Sequence, residues 1–160
     1  MSVLKEVSLM KIRKELKDCI DYGKRIGWIL SDIDESNLSY TVQMSSPIDG
    51  EVYIVEVIFD NYPEIPPLID FVHYQTGQKN IPNAYPKNKD SFFHPNGPCI
   101  CNPCSRKSYK EFVRTGPHGD WKLIGWQKNP KVGTLISMDA ILRTIYSRIS
   151  NPEFYEKRMG

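Results

Sequence analysis

Leu9, Ile12, Leu16, Cys19 and Ile20 recur at three-to-four spacing, with Lys11, Arg13, Lys14, Glu15 and Lys17 filling the other side. This period predicts an amphipathic helix over residues 2–22, stopped near Gly23. The pattern then changes. Residues 28–33 are a short apolar segment, after which Leu38, Tyr40, Val42 and Met44 alternate with Ser39, Thr41 and Gln43, the period of a half-buried strand. Residues 34–37 form the turn between them. Pro47-Ile48-Asp49-Gly50 is a second turn signal, followed by a β-branched and aromatic strand over residues 52–59. Three such strands in succession predict an antiparallel meander. Pro66 and Pro67 open a fourth strand over residues 68–74, and their missing N–H groups assign it to a sheet edge. Residues 75–90, rich in Asn, Lys and Pro, are predicted to be loop. Residues 102–125 are mostly irregular, with Gly116-Pro117-His118-Gly119 as the clearest turn. A last helix runs from Ser137 as N-cap through Ile141, Leu142, Ile145 and Ile149 to Pro152.

Composition narrows the class. A length of 160 residues suits one domain, and 40% hydrophobic residues are enough to bury one core. The net charge of +2 is small, and Lys and Arg are interspersed with Asp and Glu, so no basic stripe calls for nucleic acid. No apolar run approaches the roughly 18 residues that span a bilayer, and Lys5 and Glu6 interrupt the region where a signal peptide is apolar. The expectation is a protein that is cytoplasmic or nuclear, with no membrane partner. Four cysteines, three of them at Cys99, Cys101 and Cys104, are poorly spaced for a disulfide framework. They fit reactive thiols or metal ligands in a reducing compartment. Cys19, on the apolar side of the first helix, reads as a core residue.

The densest chemistry lies in Phe92-Phe93-His94-Pro95-Asn96-Gly97-Pro98-Cys99-Ile100-Cys101, where a carboxamide and a thiol stand near enough to share one reacting atom. Upstream lies Tyr62-Pro63-Glu64-Ile65-Pro66-Pro67. With the order helix, four-stranded meander, irregular region and helix, these motifs resemble the ubiquitin-conjugating enzyme family. That family carries a Tyr-Pro-x-x-Pro-Pro turn, a His-Pro-Asn motif and an active cysteine in an Ile-Cys-Leu context. The resemblance implies an α+β ubiquitin-conjugating fold, a four-stranded antiparallel meander sheet with flanking N-terminal and C-terminal helices, as one domain over residues 1–160. The departures are insertions near 75–90 and 102–125, and Asn102 in place of the family's leucine.

What the resemblance implies chemically is acceptance of ubiquitin or a ubiquitin-like modifier as a cysteine thioester, and its transfer to an amino group. A thiol attacks and leaves well near neutral pH. A fixed donor that cannot itself ionise stabilises charge developing on the thioester oxygen. Cys101, after Ile100, is the preferred nucleophile and Asn96 the donor, with Cys104 and Cys99 as alternatives and His94 structural. No cofactor is implied. Partners would be the modifier, an activating enzyme docking on the first helix near Lys11, Arg13, Lys14 and Lys17, a target protein and optionally a ligase. Glu64-Ile65, and Gln127-Lys128-Asn129-Pro130 after Trp126, depart from the pattern of RING-binding members. Glu153 and Glu156 match the region of the acidic residue that helps deprotonate an incoming lysine.

Two other classes stand beside this one. A non-enzymatic modifier-binding module would keep the fold, and a zinc-stabilised interaction domain would use His94, Cys99, Cys101 and Cys104 as its four ligands. Trp121 and Trp126 read as packing residues. The basic pieces Ser105-Arg106-Lys107 and Lys87-Asn88-Lys89 read as solvated loop, and residues 102–125, with Arg106, Lys107, Tyr109, Phe112 and Trp121, as a contact surface for substrate, modifier or ligase.

Overall fold

A computed structural model describes residues 3–94, 98–109 and 120–160. Helix α1 spans Lys5–Arg25 and buries Leu9, Ile12, Leu16 and Cys19. Gly23, expected to stop it, lies inside it. The stop comes later: Gly27, at φ +88°, leaves the helix in the left-handed region. The Trp28 amide bonds the Gly23 carbonyl (2.8 Å) and the Gly27 amide bonds that of Lys24 (3.3 Å), the two-bond helix end of a Schellman motif. Gly23 has a different duty. A Cβ there would stand 2.5 Å from Cε3 of Trp28, so its lack of a side chain lets the indole close over the helix end.

Four strands follow, β1 (Ile29–Leu30), β2 (Ser39–Ser45), β3 (Val52–Ile58) and β4 (Leu68–Val72). They form one antiparallel sheet in the order β1-β2-β3-β4, the predicted meander with β4 at an edge. Register pairs Tyr40 with Val57 and Val42 with Val55, and Val57 with Ile69 and Val55 with Phe71. Those residues share the buried face, where each completely buried Val, Ile or Phe contributes roughly 1.5–3 kcal/mol. The 34–37 turn is built by Asp34, whose carboxylate accepts from the amides of Ser36 and Asn37 and from the Asn37 side chain. The Asn37 bonds hold that carboxyl below its usual pKa.

Helix α2 (Met138–Ser150) begins at Ser137, whose hydroxyl accepts from the Ala140 amide as its N-cap. Its buried face is Met138, Ile141, Leu142, Ile145 and Ile149. One acidic residue joins the two helices. Glu15, expected on the polar side of α1, is buried. Its Oε1 accepts from the Tyr62 hydroxyl (2.5 Å) and from the Met138 amide (2.7 Å). The anion thus meets one of the unpaired amides at the start of α2, where the helix dipole favours negative charge.

The predicted loop of residues 75–90 also contains structure. Strand β5 (Pro86–Asn88) pairs antiparallel with β6 (Tyr155–Arg158) in a second, two-stranded sheet. Neither strand has an alternating apolar pattern; side chains fix them instead. Tyr155 exchanges a hydroxyl bond with Tyr53 (2.7 Å) and donates to Asp49 (2.7 Å), while Arg158 reaches Glu51 and the Val52 carbonyl. Among the described residues no helix is long and apolar enough to cross a membrane.

Candidate functional site around Cys101

Two short arms converge on the cysteines. Phe93 and Ile100 form an antiparallel bridge, the His94 amide donates to the Cys99 carbonyl (2.9 Å), and the Cys101 amide donates to the Phe92 carbonyl (2.7 Å). Phe93 and Ile100 are buried and anchor this closure in the core. The assignment of Asn96 lies outside the described residues. His94 contributes its backbone amide to this closure.

The three thiols are not equivalent. Cys99 and Cys104 are buried and Cys101 is half-buried. Burial raises the Cys99 pKa to about 11, with the neighbouring Cys101 adding to it. Burial also raises that of Cys101, and pushes Cys104 much further up. Cys101 is therefore the accessible thiol of the three. Among the described residues no group of three or more His, Cys, Asp or Glu could hold a metal ion, and His94 with the three cysteines forms no such group.

Asn102, where the resemblance would have leucine, is a turn builder. Its Oδ1 accepts from the Cys104 amide (2.9 Å) and its Nδ2 donates to the Lys131 carbonyl (3.3 Å). The chain then runs into the core. Residues 105–109 are all buried, the Ser108 hydroxyl donates to the Ile100 carbonyl, and that of Tyr109 donates to the Pro103 carbonyl (2.7 Å).

Ser105-Arg106-Lys107, expected to be solvated, is the opposite. Arg106 is 3% exposed, with Nε on the Pro66 carbonyl (2.9 Å) and its two terminal nitrogens on Asp60 Oδ1 (2.9 Å) and the Asp60 carbonyl (3.1 Å). Lys107 is 8% exposed and donates to Asn80 (2.8 Å) and Asp70 (3.3 Å). A buried cation is costly unless paired, and here the partners are supplied by the Tyr-Pro turn and β4. The visible signal was Asp70, a lone carboxylate inside the apolar run of β4 that needs a cation. Residues 102–109 thus support the core rather than form a contact surface; Phe112, also assigned to that surface, lies outside the described residues.

The tryptophans pack as expected. Trp126 is buried, donates through its indole to the Pro63 carbonyl (2.8 Å) and lies tilted against Tyr62. Trp121 meets Tyr109 edge-on at 5.8 Å. Lys87 pairs with Glu156 across β5 and β6 (3.5 Å), and Lys89 donates to the Pro152 carbonyl (2.9 Å), so this basic piece ties down the second sheet. On α1, Arg13 pairs with Glu35 (2.7 Å) and Lys11 with Glu15 (3.5 Å).

Comparison of the chain with family models, curated proteins and solved structures finds no match. The structure shows an α+β arrangement of a four-stranded antiparallel meander flanked by two helices.

Proposed function

We propose that residues 1–160 form one domain of the ubiquitin-conjugating type, and that it binds a ubiquitin-like modifier. The observation that carries this reading is the helix, meander and helix order with the 92–101 closure beside the Tyr62–Pro67 turn, which Arg106 and Trp126 tie to the segment after the cysteines. The constellation matters because a shared architecture alone supports many activities.

A second reading, thioester carriage, is favoured by one observation: Cys101 is accessible where its two neighbours are buried. In this reading the Cys101 sulfur attacks the modifier's carbonyl on the activating enzyme, forming a new C–S bond as the enzyme's thiolate leaves. An acceptor amine then attacks, losing a proton as the Cys101 thiolate departs. Asn96 would donate to the oxyanion, and Asn96→Ala would slow discharge by roughly 10²-fold.

The test has two stages. Titrating labelled chain with a panel of ubiquitin-like proteins, without ATP, should give saturable shifts on one of them; no shift with any member overturns the binding reading. Adding activating enzyme and ATP then separates the two readings. An adduct released by reductant and absent in Cys101→Ser establishes the carrier, whereas binding without an adduct leaves a non-catalytic module.

A further inference from the structure

The chain reverses around Trp126 and leaves an open cleft of about 520 Å³ between residues 120–125 and 128–131. Its walls are held from below. Trp126 is pinned to the Pro63 carbonyl, Gly125 turns the chain at φ +77°, and Asn129 Oδ1 accepts from the Lys131 amide (2.9 Å). The floor is joined to the cysteine loop, because Asn102 donates to the Lys131 carbonyl. Lys122, Lys128 and Lys131 line the cleft with Asp120 as the one acidic side chain, and Ile124, half exposed, adds an apolar surface. All three lysines are exposed, and no carboxylate among the described residues pairs with them. By contrast the basic pieces at 87–89 and 106–107, which also flank the site in sequence, already hold partners.

We propose that this cleft binds an acidic peptide segment, the one that flanks the acceptor amine on the target protein. The proposal rests on the thioester-carrier reading for the role of that target, but the binding site stands on its own geometry. Charge complementarity selects the occupant: three unpaired ammonium groups around a small apolar contact suit two or three carboxylates with an aliphatic residue. A nucleic acid fits less well. Its backbone needs a longer charged track and exposed aromatic platforms, and here Trp126 is buried and Trp121, which lines the cleft, is only 8% exposed. The bond from Asn102 to Lys131 joins the cleft wall to the residue that follows the half-buried Cys101.

The test uses the full chain and a fluorescent peptide of Asp, Glu, one leucine and one lysine, against the same peptide with Asn and Gln in place of its acids. Anisotropy should show the acidic peptide binding at least about tenfold more tightly, and raising salt from roughly 0.05 to 0.3 M should weaken it, since exposed pairs are screened. Combining Lys122→Glu, Lys128→Glu and Lys131→Glu should lose on the order of tenfold or more. The single Lys128→Glu and Ile124→Asp variants should each lose about two- to fivefold, which keeps the proposal testable if the triple variant misfolds. Equal affinity for the amide peptide, full affinity in these variants, or displacement of the acidic peptide by an RNA oligonucleotide at lower concentration overturns it. Modifier binding, measured on the same samples, should survive the triple change. A parent that binds the acidic peptide but no modifier keeps the cleft and removes the modifier-binding reading, and the reverse result removes the cleft alone.

Discussion

Residues 105–109 and 120–131 follow the same cysteines and mix basic with aromatic side chains, yet the first is interior and the second carries three lysines to the surface. The difference lies in what waits across from each cation. Arg106 faces Asp60 and two turn carbonyls, and Lys107 faces Asp70 and Asn80. Lys122, Lys128 and Lys131 meet no described carboxylate partner. A basic run is solvated or buried according to where the fold sets its counter-charges, and its own composition is silent on that point.

The largest effect should come from cutting the interior piece. Replacing residues 105–109 with Gly and Ser removes two ion pairs and the Tyr109 packing together, and should abolish cooperative unfolding in a urea titration; a normal transition would overturn the contrast. Arg106→Ala should cost about 2–3 kcal/mol, below the roughly 3–5 kcal/mol for breaking a fully buried pair because the Asp60 side chain is 44% exposed. Arg106→Lys should recover only part of it, since an ammonium cannot reproduce the fork that meets both the Pro66 carbonyl and Asp60. In the cleft, Lys122→Gln or Lys128→Gln should change stability by less than about 0.5 kcal/mol.

The same contrast divides the thiols. Under native conditions maleimide should label Cys101 first, with Cys99, Cys104 and Cys19 reacting on unfolding; mass spectrometry of the labelled peptides checks the order. Because burial raises the pKa of Cys101 above its ordinary 9.0, its labelling rate should still be climbing at pH 9. Cys99 carries a smaller pH effect on stability. Its folded pKa of about 11 exceeds the unfolded value, so its contribution is complete below pH 9 and is lost as pH rises from 9 to about 11. The stability difference between the parent and Cys99→Ala should shrink across that window, and a constant difference would show that the thiol is not buried in solution.

The elements set by periodicity were legible in the sequence. The period-two runs of β2 and β3 and the three-to-four spacing of α1 and α2 each state which face is apolar, and burying those faces leaves few arrangements. Elements held by single polar side chains were not. β5 and β6 rest on Tyr155, Arg158 and Asn88, whose partners lie more than 50 residues away. Glu15 was assigned to the solvated side because its charge was weighed before its partners, Tyr62 and Met138, could be known. Gly23 was mistaken for a helix end because a glycine demanded by a neighbouring indole looks the same in sequence as one demanded by φ. At the site, Cys101 follows a bridge between Phe93 and Ile100, a contact that the motif itself does not encode.

The bond from the Met138 amide to Glu15 has a consequence for amide hydrogen exchange. The first amides of a helix have no acceptor in the helix and ordinarily trade their protons with solvent within the fast phase. Met138 opens α2, yet its proton points at a buried carboxylate that also holds Tyr62. Its exchange should be as slow as that of the helix centre and should reach bulk deuterium only when α1, the Tyr-Pro turn and α2 come apart together. One residue at a helix start would thus report the opening of three elements.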